Sequence, residues 1–285
     1  MKKLILFVVL LCGSLAASAQ YYAMFKDRWN IVGYGGYFFN QQNINENGKY
    51  GGVYADYYFL KTLTGFNLGI SANATWLGFT QNLSKYDGKG VEVGSRIVAG
   101  YFSEYFSYTH QAFFGVSAGI KYGRDEGEST LGGKFNMMQE DWSFFGSLDA
   151  DFLKAWGKHE NLFPRSQLIL NFQAPFRSNR EALWDEKPIV SEIWGKGYYE
   201  VIFKQTIVSW PWSNSFNCDF KLTGLYHHER HGTFDSFGGG IEVALHKKYK
   251  DDFITISLSD RYNGYSTGNT ITWAAMFNLG PLIGK

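Results

Sequence analysis

The chain of 285 residues is long enough for one or two domains. Its 19% aromatic residues, 33 glycines and only 5 prolines exclude a disordered chain, a collagen-like repeat and a coiled coil, and they favour β structure. The formal net charge of +1 excludes a strongly basic nucleic-acid binder, so no nucleic-acid partner is expected.

The first twenty residues have the pattern of an export signal. Lys2 and Lys3 precede an apolar run, and Ala17-Ser18-Ala19 supplies a cleavage site of small residues. Residues 1–19 are therefore predicted to be a signal peptide of a secreted precursor, and residues 20–285 a single mature domain. Cleavage leaves Cys218 as the one cysteine, so no intramolecular disulfide is expected.

In the mature chain, apolar and polar residues alternate, which is typical of strands with one apolar face. The longest case runs without error from Phe66 to Trp76. Twelve such segments are predicted, each near the length that a tilted strand needs to cross a bilayer. In chain order they cover about 31–40, 51–60, 66–76, 91–101, 111–122, 142–153, 166–176, 198–209, 216–227, 237–246, 253–261 and 270–279.

The predicted connections alternate between long and short, with means of about 13.5 and 7.6 residues, as in a barrel with long outer loops and short periplasmic turns. Alternation alone does not separate a soluble barrel from a membrane barrel, because both have one apolar and one polar face. Small residues on the polar face, such as Gly69 and Ser71, favour a curved wall. Aromatic residues collect near the segment ends, as girdles at lipid–water interfaces do: Trp76, Trp142, Trp210, Trp212, Tyr226, Tyr249 and Tyr262.

With these features over about residues 30–280, the chain resembles the bacterial outer-membrane β-barrel class. The resemblance implies an all-β fold, namely an antiparallel up-and-down transmembrane β-barrel of about 12 strands. It also implies an outer-membrane location, contact with the lipid bilayer and lipopolysaccharide, and insertion by the barrel-assembly machinery.

If the apolar face meets lipid, the polar face lines the lumen. Its acidic and basic residues are the predicted lumen-lining set, which holds seven acids and four bases, and His227 and His246 are expected on the same face. These charges either pair and fill the lumen or line a wet path that selects solutes. The set is Asp56, Glu92, Arg96, Lys121, Asp149, Asp151, Glu200, Lys204, Asp219, Lys221 and Glu242.

The longest predicted outer loop is 177–197. Ser178 and Glu181 match a capping box, so a short helix is expected before Pro188 ends it. One interpretation is a constriction loop that folds over the mouth and narrows it at Trp184, Asp185 and Glu186. The other is an ordered external loop whose tryptophans touch neighbouring loops.

No catalytic residues, metal ligands or cofactors are predicted. The pattern G-x-S-x-G occurs at 115–119, inside a predicted strand, and at 264–268, between the last two predicted strands, whereas a nucleophile elbow requires a strand-to-helix turn. His227 and His231 are four residues apart, as in the zinc-protease motif, but that motif requires a helix and these residues fall at a predicted strand end.

Three functions remain open. A narrow channel for small solutes ranks first, with weak cation preference because the predicted lumen has more acids than bases. A non-catalytic structural, adhesion or envelope-complex barrel ranks second, and a lipid-modifying hydrolase third. An open lumen favours the channel, an ion-paired interior favours the second function, and a Ser–His pair near the outer lipid boundary favours the third.

Overall fold

The computed structural model describes residues 29–40, 46–60, 65–81, 85–104, 110–130, 133–154, 165–188, 197–213, 215–229, 234–247, 252–263 and 269–280. The predicted signal peptide and Tyr249 lie outside these residues. The strands are β1 (Trp29–Asn40), β2 (Glu46–Leu60), β3 (Gly65–Gln81), β4 (Tyr86–Glu104), β5 (His110–Ser129), β6 (Phe135–Lys154), β7 (Arg165–Trp184), β8 (Lys187–Pro188), β9 (Tyr198–Pro211), β10 (Phe216–Glu229), β11 (Phe234–Lys247), β12 (Asp252–Asn263) and β13 (Asn269–Asn278).

The twelve long strands close into one barrel. Each pairs with its neighbour in chain order, β7 pairs with β9 past the two-residue β8, and β13 returns to pair with β1. All of these pairings are antiparallel. The prediction of a 12-stranded up-and-down barrel is confirmed, and each long strand has a paired neighbour on both sides. Within the described residues, the β7–β9 ladder ends at Gln173 and Tyr198, and beyond it that edge of β7 pairs only with β8, at Leu183 and Trp184.

The alternating sequence decides which side chains face outward. On β3, Ile70 is 54% exposed whereas Ser71 is 4% exposed. Apolar side chains form an exposed belt around the barrel, and the predicted girdle residues Trp76, Trp142 and Trp210 lie at its edges. The exterior therefore suits lipid, and the interior holds the polar side chains.

Within the described ranges, no helix has the length and hydropathy needed to cross a membrane.

The barrel has two unlike rims. The terminal rim contains the start of β1 and the end of β13, and the far rim contains the β1–β2 connection. Strands β4 to β7 are 19 or 20 residues long, whereas β9 to β13 have 10 to 14. The extra length forms an arm at the far rim, made of residues 86–90, 123–129, 135–141 and 177–184.

The predicted rhythm of long and short connections is wrong. The connection between β5 and β6 has five residues, 130–134, because both strands continue past the apolar belt. Ladder hydrogen bonds between adjacent strands do not need lipid, so pairing continues where the outward side chains become charged.

The predicted helix after Ser178 is also wrong. Residues 177–184 belong to β7 and pair with β6 as far as Phe135 opposite Trp184. Asp185 and Glu186 then form a tight turn with φ of 47° and 64° into β8. Pairing with the edge of β6 is favoured over a short helix in this segment, because the edge supplies a hydrogen-bond partner for the backbone groups of β7, whereas the capping box stabilises only one helix end.

Candidate functional site in the barrel interior

The predicted lumen-lining residues share the inner face of the wall. All eleven side chains are buried, with at most 8% exposure, on strands from β2 to β11. The set is Asp56, Glu92, Arg96, Lys121, Asp149, Asp151, Glu200, Lys204, Asp219, Lys221 and Glu242.

Ion pairs fill the half of the interior next to the terminal rim. Lys204 Nζ and Lys221 Nζ lie 3.0 and 3.4 Å from the two carboxylate oxygens of Glu242. Lys221 Nζ also donates to Asp252, and the Asp252 side chain is only 2% exposed. Four charged residues on β9 to β12 therefore form one linked group, which satisfies charges that burial would otherwise make costly.

Two further pairs belong to the same layer. Arg165 donates to both carboxylate oxygens of Asp151, and Gln167 Nε2 donates to one of them at 2.7 Å. His246 Nε2 lies 3.0 Å from Asp219 Oδ1. We name the interior charges of β6 to β12 in this half the floor layer: Asp149, Asp151, Arg165, Lys204, Asp219, Lys221, Glu242, His246 and Asp252.

Sequence reasoning missed two members of the floor layer. Arg165 and Asp252 are buried ion-pair partners, but both lie one residue before a predicted strand. The ends of strands predicted from sequence are uncertain by a few residues, so both positions fell outside the predicted segments. Continuing the alternation one step beyond the strand end would have placed Arg165 on the inner face. Asp252 faces inward only because the register between β11 and β12 shifts at Leu245 and His246, which strict alternation does not predict.

A second charged group lies on β4 to β6. Arg96 donates to Ser117 at 3.1 Å, Ser117 lies 2.9 Å from Ser147, and Ser147 donates to Asp149 at 3.0 Å. Lys121 pairs with Glu92 at 3.0 Å close to this chain. The ion pairs and hydrogen bonds of both groups follow the wall, joining adjacent strands or strands one apart.

Aromatic side chains fill the far-rim half on the side of β1 to β7. Phe38 stacks on Phe79 with ring centroids 6.1 Å apart, and Phe79 contacts Tyr86. Trp184 packs against this cluster, while Asp185 and Glu186 are exposed at the rim. The predicted constriction residues are thus separate from the charged interior. The buried cluster contains Val32, Tyr34, Phe38, Tyr50, Tyr54, Leu77, Phe79, Tyr86, Phe135, Met137, Ala182 and Met276.

The opposite wall is less filled. Inward positions on β10 to β13 are small and half-buried in the middle of the barrel. Side chains of this size leave space that the large aromatic residues of β1 to β7 occupy on the other side. We name this space the hollow, lined by Thr223, Leu225, Gly238, Gly240, Ser257, Ser259 and Ala274.

The outer face of the arm carries a groove of about 380 Å³. At its edge, Lys89 Nζ lies 2.9 Å from Glu126, and Arg124 donates to the other carboxylate oxygen. These hydrogen bonds, Lys89 first, lower the pKa of Glu126, which lies beyond the apolar belt. The lining residues include four acids and one lysine: Asp87, Lys89, Glu126, Glu128, Asn136, Met138, Glu181 and Leu183.

Among the described residues, no three histidine, cysteine, aspartate or glutamate side chains come together as a metal site. His228 Nδ1 lies 2.8 Å from Asp235 at the far rim. His231 lies outside the described residues.

Comparison with known proteins gives a likeness in structure alone. No protein-family model and no curated sequence matches the chain. The translocator domain of the autotransporter NalP from Neisseria meningitidis matches with a TM-score of 0.57 and 7% identity, over 93% of this chain and 91% of that chain. The β domain of the Bordetella autotransporter BrkA matches with a TM-score of 0.52 and 9% identity, over 87% and 98%.

The monoaromatic hydrocarbon channel TodX has a TM-score of 0.48 and 8% identity, over 91% and 90%, which is too weak a likeness to bear on function. Identities this low carry the fold but not the activity. The closed ladder, the apolar belt and the polar interior agree with the structural matches: the chain has the fold of a bacterial outer-membrane β-barrel.

Proposed function

We propose that the protein is an outer-membrane barrel with a closed lumen, which binds a partner at its far rim. The observation that carries this proposal is the floor layer. Its charged side chains are mostly buried and paired with one another. Ions would have to displace these pairs to pass, and truncating one partner of a buried pair costs about 3–5 kcal/mol.

The groove on the arm supports the choice of partner. Its acids outnumber its single lysine by four to one, and Met138 and Leu183 supply an apolar surface between them. An acidic surface with apolar contacts complements a basic segment of another protein. The proposed partner is therefore a basic, partly apolar polypeptide that meets the arm outside the membrane.

A second candidate is a narrow channel with weak cation preference for small solutes. The surplus of acids in the lumen-lining set favours cations. The hollow along β10 to β13 supports a partial path, because its inward side chains are half-buried. The floor layer then has to open for conduction.

Conductance of the purified barrel in a planar bilayer separates the two candidates. A closed barrel gives no discrete current steps in 1 M KCl. A channel gives small current steps, and in a salt gradient its reversal potential has the sign expected for a cation-selective pore. For a channel, Asp149→Asn moves that potential toward zero, because it removes a lumenal negative charge. Steady current from the wild-type barrel would refute the closed lumen.

Binding of a fluorescent peptide of alternating lysine and leucine tests the groove. Glu181→Lys reverses a charge in the groove and weakens binding, most strongly at low salt because screening is least there. Glu186→Lys, in the exposed turn outside the groove, is the matched control and leaves binding unchanged. Equal loss in both variants would show that the peptide responds to net charge and not to the groove.

A further inference from the structure

A row of polar side chains crosses five adjacent strands on the inner face. Asn171, Glu200, His227 and Ser236 are successive cross-strand partners on β7, β9, β10 and β11, and Arg261 follows on β12. Asn171 Nδ2 donates to Glu200 at 3.1 Å, and Arg261 donates to Ser236 Oγ at 3.1 Å. Glu200 Oε1 and His227 Nδ1 lie 3.5 Å apart without a hydrogen bond between them.

We propose that Ser236, His227 and Glu200 are the nucleophile, base and orienting acid of an ester-hydrolysing site, an activity beyond partner binding. The order of the three side chains carries the proposal. Each is the direct cross-strand neighbour of the next, and such neighbours have Cβ atoms about 4.5–5.5 Å apart. That spacing brings an imidazole within reach of both a carboxylate and a hydroxyl group.

The state of His227 agrees with this role. The side chain is 1% exposed, and neither Nδ1 nor Nε2 has a hydrogen-bond partner among the described residues, so the bonds to Glu200 and Ser236 form only when substrate is bound. Tyr198 stacks on the imidazole with ring centroids 4.9 Å apart, which fixes the plane of the ring. A buried, oriented imidazole with a vacant nitrogen beside a serine is suited to accept the proton of that serine.

The surroundings indicate the substrate class. On the inner face, Ile169, Ile202 and Leu225 form an apolar cluster, each two residues from Asn171, Glu200 or His227 along its strand. This cluster suits a short apolar acyl group, and the half-buried inward positions of the hollow lie next to it, while Ser236 itself is fully buried. At the level of the row, β7, β9, β10 and β11 are all paired, so bilayer lipids have no lateral entry there, and a small soluble ester arriving from the far rim is the proposed substrate.

The reaction follows from these positions. Ser236 Oγ attacks the ester carbonyl while His227 Nε2 takes the hydroxyl proton, and Glu200 stabilises the resulting imidazolium. Arg261, which donates to Ser236 Oγ, faces the negative charge that develops on the carbonyl oxygen. The C–O bond to the alcohol breaks and the alcohol takes the proton from His227. Water then hydrolyses the acyl-serine, which releases the acid and restores Ser236.

A fluorophosphonate probe tests the nucleophile in the full-length barrel refolded in detergent. The wild-type chain becomes labelled, and peptide mass spectrometry places the label on Ser236. Ser236→Ala abolishes labelling and hydrolysis of p-nitrophenyl butyrate. Ser143→Ala, at a buried inner-face serine of β6 outside the hollow, is the matched control and keeps both. Heat-modifiable gel mobility verifies that each variant is folded.

Glu200→Gln tests the positioning role, because glutamine keeps the size but loses the charge. We expect kcat to fall about 10⁴-fold with KM within about two-fold, as for loss of a triad acid. A merely structural role would change folding or KM instead. Absence of labelling in the folded wild type, or a label on another serine, overturns the proposal, as does hydrolysis of vesicle phospholipid in place of the soluble ester.

Discussion

Ile70 on β3 is the position where lipid contact is most directly testable. The apolar belt on this strand runs from Phe66 to Trp76, and at about 3.3 Å per residue and a tilt of 35–45° this span rises roughly 25 Å, the height of an apolar band in such barrels. Ile70 lies near the middle of that span and is 54% exposed. Ile70→Arg therefore places a charge near the bilayer midplane, at a cost of about 2–4 kcal/mol.

Thr80→Arg is the matched control on the same outward face. Thr80 lies beyond Trp76 and past the edge of the belt, where an arginine costs about 0–1 kcal/mol. The inner face gives no tolerant comparison, because Ser71 is buried between Asp56 and Arg96. An arginine at position 71 would overpack the interior and cost about 1–3 kcal/mol.

The measurement is the free energy of unfolding from lipid vesicles, obtained by denaturant titration with tryptophan fluorescence. A cost for Ile70→Arg that exceeds the cost for Thr80→Arg by at least about 1 kcal/mol agrees with the depth dependence. Equal costs at the two positions, or no cost at Ile70, would refute the placement of the belt in lipid.

The floor layer and the close packing of the wall give two more expected outcomes, both measured by the same titration. Lys221→Met leaves Asp252 buried without its lysine and destabilises the barrel by about 3–5 kcal/mol, whereas the double variant with Asp252→Leu recovers to within about 1 kcal/mol of wild type; failure of the double variant to recover would show that other contacts hold this layer. Gly36→Ala costs about 1–3 kcal/mol by overpacking, because its new Cβ would lie 2.5 Å from the carbonyl oxygen of Trp273. Gly33→Ala on the same strand has nothing within 4 Å and stays within about 0.5 kcal/mol, so equal effects at the two glycines would contradict the packing.

The interior sites show where sequence reasoning succeeds and where it stops. The inner-face position of Lys221 follows from period 2, because adjacent side chains on a strand point to opposite faces. Its partner Asp252 lies thirty-one residues away on a strand that is not adjacent in the sheet. Which charges pair therefore depends on register and curvature, and a single strand's sequence contains neither.

The strands, their number and the lipid-facing side could be predicted from the sequence, because each depends on neighbouring residues within one strand and on the fixed length of a membrane crossing. The height of the arm depends on the tertiary structure, because β4 to β7 extend as far as an adjacent strand provides backbone hydrogen-bond partners. The tertiary structure also decided the row of Glu200, His227 and Ser236. Glu200 and Ser236 lie on different strands, and only the pairing register of β9, β10 and β11 brings them to either side of one histidine.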